Sequence, residues 1–530
     1  MKAHRAGLLA AGCSLLLVLA ACGGSSQPTA KPPASTQVFT YDTTSPVMVD
    51  GWDPATEYSD GILAMSEMYE TLTRYDSATH TVKPLLATSW SSAANGLTWT
   101  FHLRQGVHFH TGRLLTAQAA AAAILRTEKL GGGAAYVWDA VKSISTPSTY
   151  TMVFHLKYPA PLDLQASASY SAYIYDTTAA GSGSLTKWFN TPHDAGTGPY
   201  ELQTWNKGQE FEVILKAFPG YWGGWSGTHF KKVVFRVVPQ DTTAAQLLRS
   251  GQVSFVEQIS PSLWKSLAGQ SGIHTVSVPS FQNLLGQLNA KTLSLPMRQA
   301  ISYGINYAGI VAALQGAAVQ PSGLVPAGLP GHSTNLPNYS YDPAKAIQLL
   351  HQAGYGPGKK SLNLSLTYTQ GDSNEQVVAT LLKSSLAKLN INLSTQSLAW
   401  PTQWAKAKSS NAASHQSIFF EYWWPDYADP YTWFNNLLLT EKQPYFNLSY
   451  YSDSNLDKQI NQVESLLATN RTAGEQLYRT MQVEVLQQAP LDVLYNVNYQ
   501  YAMRTSFTGF QPDPAYANVV FIYNLRPTGS

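Results

Sequence analysis

The chain has 530 residues, a length that suggests two or three domains rather than one compact core. Charged residues make up only 12% and aromatic residues another 12%, a balance that argues against disorder and against a nucleic-acid binder. The formal net charge of +2 supplies no field that would draw in polyanions.

At the amino terminus, Lys2 and Arg5 precede an apolar run from Ala6 to Ala20. The run is too short and wrongly flanked for a stable membrane span, and it reads as a targeting signal. Leu19-Ala20-Ala21-Cys22 resembles a bacterial lipobox. That resemblance implies a signal peptide over 1–21, cleavage before Cys22 and lipid on the Cys22 sulfur. The protein would then sit outside the cytoplasmic membrane, periplasmic or on the cell surface. Cys13 leaves with the signal, so the mature chain keeps one cysteine and no intramolecular disulfide. Loss of Lys2 and Arg5 takes the 34 basic residues to 32, equal to the 32 acidic ones. Residues 22–37 are rich in Gly, Ser, Pro, Thr and Ala and read as a flexible tether.

Beyond the tether, Val38 opens a strand. Met65 to Tyr75 carries an apolar stripe at Met65, Met68, Tyr69 and Leu72, which predicts a helix. Alternation at Leu97, Trp99, Phe101 and Leu103 predicts a strand with one buried face. Thr116 is a good N-cap for an Ala-rich helix over Ala117–Arg126. His102, His108 and His110 raise a metal site, but no Cys or carboxylate nearby completes one, so they are expected to be surface or structural. Val141–Ser145 and Thr151–Leu156 form a strand pair around Thr-Pro-Ser. Gly196-Thr197-Gly198-Pro199-Tyr200 lacks the Lys or helix start of a phosphate loop and reads as a tight structural turn. Lys231–Val238 is a strand, and Thr243–Arg249 a helix stopped by Gly251. Asp342-Pro343 starts a helix that Gly354 ends. Leu362–Tyr368, Glu375–Leu389 and Ile391–Leu393 alternate as strand, helix, strand, the pattern of a parallel or mixed sheet covered by helices. Asn455–Leu467 and Thr472–Gln488 are helices.

The densest chemistry is Tyr422-Trp423-Trp424-Pro425-Asp426-Tyr427-Ala428-Asp429-Pro430. A short strand, Ser417–Glu421, delivers rings and a carboxylate to an irregular segment broken by two prolines. Rings offer stacking area, and a partly desolvated carboxylate offers one strong charge-assisted hydrogen bond. Together they suit an organic ligand with a positive group. Aromatic clusters also serve as core, and an Asp before a turn often only forms the turn.

The order Trp423-x-x-Asp426-Tyr427-x-Asp429-Pro430 resembles a signature of the family 5 extracellular solute-binding proteins, the peptide, dipeptide and nickel receptors of ABC importers. Other stretches agree in order: Leu86–Trp90, Gly96–Arg104, Gly106–Gly112, Gly196–Tyr200, Phe218–Gly224, Met297–Tyr303 and Ala489–Tyr495. The resemblance implies an α/β protein of the class II periplasmic-binding-protein type, with two lobes around a ligand cleft and an additional inserted domain. Lobe I would take 38–58, 186–287 and 497–530, the inserted domain 59–185, and lobe III 288–496. In peptide-binding members, the Asp matching Asp426 holds the ligand ammonium and the Trp matching Trp423 lines a side-chain pocket. A Trp at the spacing of Trp404 lines the cleft in oligopeptide-binding relatives. Trp424 and Tyr427 are further candidates. Relatives also use Arg near this point for a ligand carboxylate, whereas only Lys406 and Lys408 lie between Trp404 and Asp426 here.

The function so implied is capture of short peptides in a closing cleft and delivery to an ABC permease, by a monomer that uses no cofactor and no metal and catalyses nothing. The alternative keeps the fold and binds an oligosaccharide or other uncharged solute. A nickel chelate lacks traceable ligands, and a secreted hydrolase lacks a G-x-S-x-G or H-E-x-x-H motif.

Overall fold

A computed structural model describes residues 37–43, 51–206, 211–257 and 259–528, all within one folded unit. The expected signal, lipidated Cys22 and tether to residue 36 lie outside the described residues. No helix among those described is long and apolar enough to cross a membrane.

Its backbone is an 11-stranded mixed sheet. On one side, Val38–Thr43 runs parallel to Lys232–Val237 and to Phe255–Val256. Glu212–Ala217 and Tyr200–Asn206 extend that side antiparallel. On the other side, Leu362–Thr369 runs parallel to Ile391–Leu398 and to Ile418–Trp423. Two long antiparallel strands, Ile273–Leu288 and Leu491–Arg504, join the sides. The first portion of one, Ile273–Pro279, pairs with Arg504–Asn498, next to Phe255–Val256. The far portion, Asn283–Leu288, pairs with Trp423–Ile418. Between them the register slips at Pro279/Asn283, an irregularity of the kind that bends a strand.

Each side has its own core. Leu284, Leu364, Val378, Leu386, Ile418 and Leu494 pack into one. Ala244, Leu248, Val256 and Ile259 form a smaller one under the Asp241–Ser250 helix. The third is the largest and takes in a separate antiparallel sheet of Ala87–Ser92, Thr98–Leu103, Thr151–Leu156 and Val141–Ser148. The Ala117–Leu130 helix lies against that sheet. Its N-cap is Thr116, whose side chain accepts from the Ala119 amide, and Gly131 ends it in the left-handed conformation. Asp342 caps Pro343–Gln352 in the same manner, through the Lys345 amide at 2.9 Å.

The apolar stripe at Met65–Tyr75 is buried as expected, but the helix covers only Ile62–Met68, and Thr73–Asp76 is a strand. Tyr69 turns extended, and Glu70 bridges Ile174 across the chain. The Glu70 carboxylate then accepts from Thr197, Tyr221 and Trp222. These distant donors outweigh continuation of one helical turn. Gly196 and Gly198 lie so close to this segment that a Cβ would fall 2.0 Å from Met68 O and 2.4 Å from Glu67 O. The Gly-Thr-Gly-Pro-Tyr element is therefore a close backbone crossing.

His110 completes that crossing. Its Nδ1 meets the Asp194 carboxylate, and Nε2 meets Gly198 O at 3.0 Å. Burial disfavours the charged ring, but Asp194 beside it outweighs burial and raises its pKa. Asp194 also accepts from the Gly196 and Leu202 amides. His110→Ala strands a buried carboxylate, so urea unfolding should show a loss of about 3 kcal/mol. A loss under about 1 kcal/mol would mean that the pair is replaced by water at no cost.

Candidate functional site

The Ile418–Trp423 strand ends beside Asn283, next to the register slip, and hands the chain to Pro425. Asp429 braces the turn that follows. Its Oδ1 accepts from the Tyr431 amide at 2.9 Å and from the Tyr478 hydroxyl, and the Tyr431–Leu437 helix starts there. This brace fixes the path through Asp426.

Asp426 is half-buried. Its Oδ2 accepts from the Tyr136 hydroxyl at 2.5 Å and Asn436 Nδ2 at 3.5 Å. Among the described residues no donor meets Oδ1. The Asp426 carbonyl accepts from Ser169 N at 2.7 Å and Ser169 Oγ at 3.1 Å. Burial pushes the Asp426 carboxyl up to about 6, against the lowering effect of Tyr136 and Asn436. Tyr136 and Ser169 belong to the region built on the small antiparallel sheet, so this carboxylate sits where that region meets the large sheet.

The predicted rings fall into two groups. Trp423 donates from its indole nitrogen to Thr432 Oγ1 at 3.0 Å and packs edge-on to Phe446 at 5.1 Å. Trp404 lies at 19° to the same Phe446 ring, 6.0 Å away, and donates to Tyr445 O at 3.0 Å. Tyr58 meets Trp404, Tyr445 and Phe446 edge-on from across the chain. Phe446 thus joins Trp423 and Trp404 into one aromatic wall. The Lys408 ammonium sits over Trp404 at 3.7 Å and over Tyr445 at 4.1 Å. Tyr427 turns the other way. It is 3% exposed, and its hydroxyl donates to Glu464 Oε1 at 2.8 Å, beside Gln165. Trp424 is half-buried against the largest core. The structure therefore brings Trp423 and Trp404 together around Phe446, places Asp426 on Tyr136 and Asn436, and sends Tyr427 into the interior.

Tyr136, Tyr58, Tyr445 and Phe446 are absent from the sequence-based candidates. The density of rings at Tyr445-Phe446 was the one local signal available. No group of three His, Cys, Asp or Glu side chains among the described residues could hold a metal.

Several carboxyls near neutrality share one cause, burial. It lifts Asp426 and Asp429 to about 6, Glu67 and Asp492 to about 7, and Glu257, Glu421 and Glu464 to about 8. Their ordinary values are 3.8 and 4.5. The folded state therefore binds more protons than the unfolded chain across this range. Stability from these groups is complete at low pH and is lost as pH climbs through 6 to 8. The ligand-free melting temperature should fall between pH 5 and 8.5 in a scanning-calorimetry series, and a rise would contradict these protonation states.

Residues 81–445 match the model for bacterial extracellular solute-binding proteins, family 5. A probable D,D-dipeptide-binding periplasmic protein of Escherichia coli (strain K12) is 27% identical over 468 residues, 86% of this chain and 88% of that one. Heme-binding protein A of Haemophilus influenzae is 25% identical over 529 residues, 91% of this chain and 92% of that one. A periplasmic binding protein of Helicobacter pylori, solved with the peptide STSA, superposes with a TM-score of 0.81 at 22% identity, covering 93% of this chain and 98% of that chain. At that identity the superposition speaks for the fold alone, a class II two-lobe α/β binding protein.

Proposed function

This chain belongs to the bacterial extracellular solute-binding proteins of family 5, and on that premise we propose that it captures short peptides and delivers them to the permease of an ABC importer. The carrying observation is Asp426, a half-buried carboxylate with one oxygen unmet by any described donor, three residues after Trp423, which packs with Phe446 and Trp404 in a ring wall. A ligand ammonium fits the free oxygen, and ligand side chains fit the rings. Tyr427 acts as a brace through Glu464, and Trp424 packs behind the site. The protein binds without turnover.

The two sides of the sheet serve as lobes I and III, and residues 59–185 as the inserted domain. Closure pivots where the long strands slip register, because a bulged crossing bends more readily than a regular ladder. Ligand that touches both sides shifts the balance toward the closed form. Lipid on Cys22 and the 22–37 tether would keep this receptor, a monomer, at the outer face of the membrane. An uncharged sugar would use the rings but leave Asp426 without a counter-charge, so the half-buried carboxylate favours the peptide.

Asp426→Asn should weaken peptide binding by about 2–5 kcal/mol, at least tenfold, in calorimetric titrations, with the circular dichroism unchanged. Unchanged affinity would remove Asp426 from the site. Binding an ammonium requires the ionised carboxyl, whose free-state pKa is about 6. Affinity should therefore drop about tenfold as pH falls from 7 to 5. Flat affinity over that interval would count against the ammonium pair.

A further inference from the structure

Glu257 follows the Phe255–Val256 strand and is 1% exposed. The Tyr41 and Thr43 side chains bond to it, yet among the described residues its Oε2 has no hydrogen-bond partner. A buried carboxylate oxygen without a donor is costly and asks for an explanation.

Strand directions say where Glu257 sits. Phe255–Val256 is antiparallel to Met503–Ala502, which is antiparallel to His274–Thr275. It therefore runs in the same direction as Ile273–Leu288, toward the register slip. Ile418–Trp423 is antiparallel to Leu288–Asn283 and runs toward that slip from the other side. Glu257 and Asp426 each follow the carboxyl end of a strand aimed at one crossing, where open α/β sheets hold ligands. Val256 stands level with Thr275 through Ala502, and Trp423 level with Asn283. The Ile273–Leu288 and Leu491–Arg504 strands lie side by side between these two strand ends, so the two acids approach the crossing from opposite flanks of that pair. Asp60 acts electrostatically on both Glu257 and Tyr170, and Asp426 also acts on Tyr170. Tyr58, two residues before Asp60, packs on the Trp404 wall. Among the described residues no Lys or Arg forms an ion pair with Glu257 or Asp426.

We propose that Glu257 is a second cation anchor of the cleft, and that the preferred ligands are peptides carrying a lysine or arginine side chain besides the terminal ammonium. The inference rests on the peptide reading and narrows it. The Glu257 oxygen that lacks a donor receives the basic side chain, while Asp426 receives the amino terminus.

The test is calorimetric titration of the purified full-length protein and its Glu257→Gln variant. The probes are Ala-Ala-Ala, Lys-Ala-Ala, Ala-Lys-Ala, Ala-Ala-Lys and Ala-Glu-Ala. For the unaltered protein, at least one lysine peptide should bind tenfold or more tighter than Ala-Ala-Ala, with Ala-Glu-Ala weakest. In Glu257→Gln that preference should vanish. No lysine preference, or one that survives in Glu257→Gln, overturns the proposal. A variant that changes only the melting temperature marks Glu257 as a core acid and overturns it too. Binding of Ala-Ala-Ala without lysine preference sinks this inference alone, whereas binding of none of the five sinks the peptide reading with it.

Discussion

The pairing of Ile273–Leu288 with Leu491–Arg504 is the constraint on which the rest depends. These strands are the only long elements shared by the two sides of the large sheet among the described residues. Their hydrogen bonds hold two separate cores in one fold. Because the register slips between Pro279 and Asn283, the same pairing that joins the sides also provides the place where they can bend. The carboxyl ends of the Phe255–Val256 and Ile418–Trp423 strands point toward it from either side. On the proposed reading, site and hinge are products of one arrangement of strands.

The electrostatics of the seam follow from burial rather than from charge pairing. Asp426, Asp429, Glu257, Glu421 and Glu464 are all pushed upward by desolvation. Tyrosines and glutamines, not arginines, are their partners: Tyr136 on Asp426, Tyr478 on Asp429, Tyr427 and Gln165 on Glu464, Gln287 on Glu421. A neutral donor stabilises a carboxylate less than a cation does. A seam built in this way retains an appetite for positive charge and has little to offer an anion. Lys408, committed to the faces of Trp404 and Tyr445, is the nearest cation to the ring wall that these contacts identify.

Much of the fold was legible because its local signals agree. Thr116 marks a helix start, though that helix runs to Leu130 rather than Arg126, and Asp342-Pro343 with Gly354 mark both ends of another through a cap and a left-handed glycine. The aromatic strand before Pro425 was legible from ring content and β-branching, and it delivers Asp426 to a turn as its sequence suggests. The misread stretch is Met65–Tyr75, where apolar spacing fits a helix but Glu70 is claimed by Thr197, Tyr221 and Trp222. Tyr136 lies 290 residues from Asp426 in the chain, and no local pattern could pair them. The inward turn of Tyr427 depends on Glu464, 37 residues later. The two-lobe class was readable through the ordered family resemblance. That the strands before Glu257 and Asp426 point toward one crossing required the sheet topology.

The most direct test of the peptide reading is a thermal-shift titration of the purified protein with a mixed tripeptide library, used free and again N-acetylated, beside cello- and xylo-oligosaccharides. A ligand at about 100 times its dissociation constant stabilises a fold by about 2.7 kcal/mol, a readable shift. The free peptides should shift the melting temperature and the acetylated ones should not, since acetylation removes the charge that Asp426 meets. An equal shift with acetylated peptides, or a shift with the sugars alone, would contradict the ammonium anchor at Asp426.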